Sequence, residues 1–131
     1  YNNQKIILHD SYNSIYEYKI ILKKMDFCLH LKYKDPCPNA IVERLKYGIP
    51  HIYSNSGGTP ELVGKGGIGI NVIDTWSTQI SVDSKVLANE IINISNNLEF
   101  FSNEALKQSI KFDWLNYIKQ HRNIFENAIK V

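Results

Sequence analysis

The chain has 131 residues, with 15 Lys and Arg against 13 Asp and Glu and a net charge of +2, enough length for one modest core and too little scattered basic charge for a nucleic-acid partner. No apolar run approaches the roughly 20 residues that span a bilayer, and no signal peptide opens the sequence, so a cytosolic domain is expected. Cys28 and Cys37 belong to no CxxC pair, which favours free thiols over a disulfide or a zinc site.

Taken in order, the sequence alternates strand and helix. A short apolar run predicts a strand over residues 5–8, and Ile15, Tyr18, Ile21 and Leu22 recur at helical spacing across 15–24. Strands are expected at 27–31, 51–53 and 68–72, with helices at 39–47 and 59–63 between them. Residues 73–83 read as a polar loop, and helices close the chain across 84–97, 100–111 and 114–130. Strands alternating with helices predict an α/β domain, a Rossmann-like parallel sheet with helices on both faces.

The stretch Asp35-Pro36-Cys37-Pro38-Asn39-Ala40-Ile41-Val42-Glu43 sets two carboxylates across a turn that feeds a helix. Pro38 suits the first helical position, because its fixed φ fits and its missing N–H needs no partner there. The N–H groups of Asn39 and Ala40 are then free to meet an anion. Ile41, Val42 and Leu45 should face a core, while Glu43 lies off that stripe and can look into a crevice. Farther on, Gly57-Gly58-Thr59-Pro60-Glu61 has two compatible readings. It is a turn in which Thr59 caps a helix begun by Pro60, and it is a second helix start beside the first, where ligands of open α/β sheets bind.

In their linked order these pieces resemble the group 1 glycosyltransferases, family 4 of the two-domain GT-B fold. That family carries an acidic residue, seven residues and a Glu, then a helix ending Gly-x-Pro, a strand, and a Gly-Gly-x-Pro-Glu turn. Here they are Asp35 to Glu43, Gly48-Ile49-Pro50, His51-Ile52-Tyr53, and Gly57-Gly58-Thr59-Pro60-Glu61, with Phe112-Asp113-Trp114 similar to the closing segment. Asp-Pro-Cys stands where Glu-Gly-Phe is commoner, so Pro36 offers no N–H where the usual Gly can donate one. The resemblance implies the donor-binding, C-terminal half of a retaining glycosyltransferase that builds polysaccharide or glycoconjugate. Asp35 would hold a hydroxyl of the transferred sugar, Glu43 the ribose hydroxyls, and the turn around Cys37, Pro38, Asn39 and Ala40, with Gly57 and Gly58, the rest of the nucleotide sugar. It also implies a preceding acceptor domain and two upstream strands, so residues 1–131 alone would transfer no sugar. Contact with an acceptor saccharide or lipid, or with the inner face of a membrane, would come through those other parts.

Other patterns carry less. Gly64-Lys65-Gly66-Gly67-Ile68-Gly69 matches GxGxxG, but a helix before it and a strand after it reverse the dinucleotide context, leaving a tight turn. Gly58 to Lys65 is one residue too long for a P-loop. His9, His30, His51 and His121 show no ligand spacing, and no Asp-x-Asp occurs, so neither metal nor cofactor is expected, with nucleotide sugar as substrate. Tyr33, Trp76 and Trp114 are stacking candidates better read as packing. The alternative from another class is a non-catalytic module that binds a nucleotide sugar or a partner protein.

Overall fold

The computed structural model describes residues 11–73, 75, 77, 79 and 81–129; the strand expected at 5–8, His9 and Trp76 lie outside them. Helix α1 (Ile15–Leu22) starts where Ser14 Oγ accepts from Glu17 N–H, and the Glu17 carboxylate accepts from Asn13 N–H at 2.9 Å, a reciprocal cap of the Ser-x-x-Glu kind. Leu22 alone of α1 is fully covered, and Ile15, expected on the apolar face, is exposed.

Strands β1 (Cys28–His30), β2 (His51–Ser54) and β3 (Gly67–Ile70) alternate with helices α2 (Asn39–Leu45) and α3 (Thr59–Val63). The strands form a parallel sheet in the order β1-β2-β3, with Leu29 opposite Ile52 and Ile52 opposite Ile68. β2 is central and every one of its side chains is buried. Because successive strand side chains alternate between faces, Ile52 packs with Ile70 and Ile94 on one side, while Tyr53 packs with Ile41, Leu45, Val63 and Ala105 on the other. Helix α4 (Ser84–Asn96) covers the first side; α2, α3 and α5 (Leu98–Ser109) cover the second. The α/β fold with helices on both faces of a parallel sheet is therefore the one expected.

Several boundaries differ from expectation, each for a local reason. Pro38 is the cap and not the first helical residue: its ψ of 103 is extended, and its carbonyl accepts the first turn's bond from Ile41 N–H. Thr59 does not cap α3. Gly58 holds that place, and Thr59 is buried inside the helix. β3 ends at Ile70, because Asn55 N–H bonds the Ile70 carbonyl and the Asn55 amide bonds the Asn71 side chain, closing the strand end against β2. α5 starts two residues early and tightens into a 3₁₀ turn at Ile110–Phe112. The Gly64–Gly66 stretch is the tight turn from α3 into β3, with Gly64 at a φ of 53.

Helix α6 (Trp114–Ala128) begins on an Asp113 cap that accepts from Leu115 N–H. None of its residues is buried, and Trp114, Leu115, Ile124 and Phe125 are exposed. Trp114 is thus no core residue; its ring stacks on Tyr117 at 5.5 Å. Among the described residues no helix is long and apolar enough to cross a membrane.

Candidate functional site

β1 and β2 run parallel, so the loops that leave their carboxyl ends emerge side by side. The first carries Lys32 to Pro38 into α2, the second Asn55 to Gly58 into α3. Three hydrogen bonds fasten them together. Ser54 Oγ donates to the Lys32 carbonyl at 2.5 Å, Lys34 N–H donates to Ser56 Oγ at 2.9 Å, and Gly58 N–H donates to the Asp35 carbonyl at 3.0 Å. Ser54 and Ser56 are buried, so these bonds act where water competes poorly.

The glycine pair is what lets the loops approach. A Cβ at Gly57, whose φ is 63, would strike the backbone of Asp35, and one at Gly58 would strike the Pro36 carbonyl. Both obstacles are backbone and cannot swing aside. Only glycine therefore seats the second turn against the first. The structure brings Asp35, Pro36, Gly57 and Gly58 into one contact and leaves Cys37 and Asn39 exposed at the rim.

Asp35 is held on its side-chain side as well. Its Oδ2 lies 3.6 Å from Lys32 Nζ and 3.8 Å from His30 Nε2. His30 exposes 8% of its surface, and Nε2 makes no hydrogen bond. Loss of water, first, with Lys32 and Arg44, keeps the His30 ring below its usual proton affinity, and Asp35 opposes them. The ring has little open surface but only a thin cover of atoms, so its desolvation is partial.

Glu43 lies elsewhere on α2. It is exposed, clear of the core, and its Oε2 accepts from Tyr18 of α1 at 3.0 Å. The bond and partial burial raise the Tyr18 hydroxyl to about 12, burial being the larger cause. Glu43 and Tyr18 line a groove of about 230 Å³ between α1 and α2 with Lys46 and Tyr47. Among the described residues no hydrogen bond or ion pair joins Glu43 to Asp35.

Under α2, next to Asp35, a polar group fills positions that a sheet normally gives to aliphatic side chains. Cys28 and His51 are register partners on β1 and β2, His30 follows two residues along β1, and Arg44 reaches in from α2, acting on all three. Burial pushes the Cys28 thiol up. Among the described residues no three His, Cys, Asp or Glu side chains are grouped closely enough to hold a metal ion. Tyr33 carries Lys34 Nζ 5.3 Å above its ring, and His121 sits on α6 with its Nδ1 3.0 Å from the Tyr117 carbonyl, remote from this cluster in sequence.

Sequence reasoning passed over His30, Ser54, Ser56 and Tyr18 as parts of the site. The signal for the serines was their place: Ser54-Asn55-Ser56 follows a buried strand directly, where hydroxyls bond neighbouring backbone. His30 sits five residues before Asp35 at a strand end, a spacing with no motif attached.

A solved structure shares this fold. Sucrose-phosphate synthase from Thermosynechococcus elongatus matches 87% of the chain with a TM-score of 0.63 at 20% identity, and the chain spans 28% of that protein's length. The likeness is one of fold, and it agrees with the GT-B class; nothing in it bears on membership of family 4. No family model matches the chain, and no curated protein sequence does.

Proposed function

We propose that this chain is the donor-binding part of a glycosyltransferase, taking a nucleotide-activated sugar that a larger protein transfers to an acceptor hydroxyl with retention of configuration. The observation that carries the proposal is the fastening of the Asp35 turn to Gly57–Gly58 at the carboxyl ends of two adjacent parallel strands, the place where open α/β sheets bind ligands. The solved neighbour adds support, since it is a synthase of a sucrose phosphate, a molecule in which two sugars are joined.

In this reading Asp35 accepts a hydrogen bond from a donor-sugar hydroxyl, and its fixed backbone sets the register of the sugar. The Asn39 and Ala40 N–H groups, which have no intrahelical acceptor behind the Pro38 cap, meet a phosphate and stabilise the charge on the departing diphosphate. Glu43 accepts from the ribose hydroxyls with the oxygen that Tyr18 leaves open. The protein supplies no catalytic base from this half, and neither metal nor cofactor is required.

The test is calorimetry and transfer assay on the longer protein that contains this chain. Hydrogen bonds to a charged group are worth roughly 1.5–3 kcal/mol, so Glu43→Ala should weaken nucleoside diphosphate binding by about ten- to a hundredfold. Asp35→Ala should spare that binding and lower transfer. Wild-type binding by Glu43→Ala removes the ribose assignment, and full transfer by Asp35→Ala removes the sugar assignment. A non-catalytic module is the second reading, favoured by Pro36, which lacks the N–H that a glycine would offer there. Donor binding without transfer by the longer protein would select it.

A further inference from the structure

The Asp35 carboxylate has its backbone fixed by the β2–α3 turn, yet that alone does not fix the side chain. What faces it from within the fold is His30. The ring stands at the carboxyl end of β1, 8% exposed, with Nε2 buried, unbonded and 3.8 Å from Asp35 Oδ2. A closure of about 1 Å makes this a hydrogen bond of ordinary length. Lys32, the other neighbour of Oδ2, is 69% exposed at its side chain, whereas Asp35 is 20% exposed. An exposed lysine orients a carboxylate weakly; a buried ring on a strand does so firmly.

We propose that His30 is the positioning residue for Asp35: its neutral ring presents Nε2–H to Oδ2, holding the carboxylate so that Oδ1 faces the crevice to receive a hydroxyl. The inference rests on the proposed role of Asp35 and adds to it a device that responds to acid. The groups around the ring are Asp35 and Lys32 on the loop, Arg44 on α2 and His51 on β2. Burial, with Lys32 and Arg44, lowers the proton affinity of the ring, and Asp35 alone favours protonation. As pH falls the ring gains a proton and becomes a full counter-ion for Asp35. The carboxylate is then drawn inward and becomes a poorer acceptor for a ligand hydroxyl.

The proton itself is the probe, read by NMR of the His30 ring and the Asp35 carboxyl carbon in the chain without any sugar. Asp35→Asn should lower the His30 titration midpoint by about half a unit or more, because a facing carboxylate favours imidazolium. At pH 7.5, His30→Leu, which fills the space without a donor, should displace the Asp35 carboxyl-carbon resonance, and His30→Gln, which supplies a non-titrating amide donor, should return it toward wild type. The proposal is overturned if His30 titrates identically in Asp35→Asn, or if the Asp35 carboxyl resonance is unchanged in His30→Leu. Equal Asp35 resonances in His30→Gln and His30→Leu, both displaced from wild type, would overturn the donor role, because the amide would then do no more than leucine. None of these readings uses a donor, so failure here is separate from failure of the transfer test on Asp35→Ala.

Discussion

His51 should make this fold sensitive to mild acid. The residue is fully buried in the central strand, and neither ring nitrogen has a hydrogen-bond partner. Burial above all, then the nearby Arg44 and His30, take its proton affinity from an ordinary 6.5 down to about 3; the Ile49 backbone pulls weakly the other way without a well-aligned bond. The unfolded chain therefore binds a proton near pH 6.5 that the folded chain refuses until about pH 3. The stabilisation is complete above pH 6.5 and is lost as pH falls toward 3. At pH 5 the difference amounts to about 2 kcal/mol, or roughly 6–10 °C in Tm for a domain of this size. His30, whose shift has the same direction, adds to it. Urea midpoints of wild type and His51→Val at pH 7.5 and pH 5 isolate the effect. The valine suits a central strand and removes two unbonded nitrogens. It should be at least as stable as wild type at pH 7.5 and lose about 2 kcal/mol less on acidification. Equal acid losses in the two proteins, or a His51 ring that titrates near 6.5, would refute the reasoning.

Gly58→Ala drives a Cβ into the Pro36 carbonyl and should separate the two loops, lowering stability by about 1–3 kcal/mol; an unchanged urea midpoint contradicts the tight seating of the turns. Gln108→Leu should cost about 1–3 kcal/mol in thermal denaturation, because Gln108 Nε2 bonds the Glu61 and Leu62 carbonyls at 3.0 Å each and the latter is buried. Wild-type Tm in that variant would mean that those carbonyls find other donors. On the proposed function, transfer by a protein that carries this chain should survive EDTA; activity lost on chelation and restored by Mn²⁺ or Mg²⁺ would refute the metal-independent reading.

The fold was legible because its signals are local and repeated. Three short apolar runs alternating with helical periods leave few arrangements once parallel crossovers are right-handed. Ile41 and Leu45 proved buried because a helix beside a sheet needs one covered stripe. What periodicity does not give is where a backbone stops. Pro38 as cap and Ile70 as strand end are set by Ile41 N–H and Asn55 N–H, bonds decided by the path of the whole loop. Nor does periodicity say which apolar stripe finds a partner. α6 has the spacing of a covered helix, yet among the described residues its chief neighbour is the 3₁₀ turn before it.

The candidate site was legible to the extent that its chemistry lies within one stretch of sequence. From the sequence the Gly57–Gly58 turn could be set beside the first helix start, but its contact with the Asp35 and Pro36 backbone shows only in the structure. Ser54 and Ser56 act across 22 residues, and Tyr18 across 25, distances over which a single sequence carries no geometric signal. These unforeseen partners share one consequence. Asp35 Oδ2 faces His30 and Lys32, and Glu43 Oε2 accepts a hydrogen bond from the Tyr18 hydroxyl, so each carboxylate has one oxygen turned to the protein. Among the described residues Oδ1 and Oε1 have no such partner. A carboxylate held through one oxygen, as Glu43 is by its 3.0 Å bond from Tyr18, has less rotational freedom before a ligand arrives, so less entropy remains to be lost on binding. The open oxygens are thus the acceptors on which the proposed recognition of sugar and ribose hydroxyls depends.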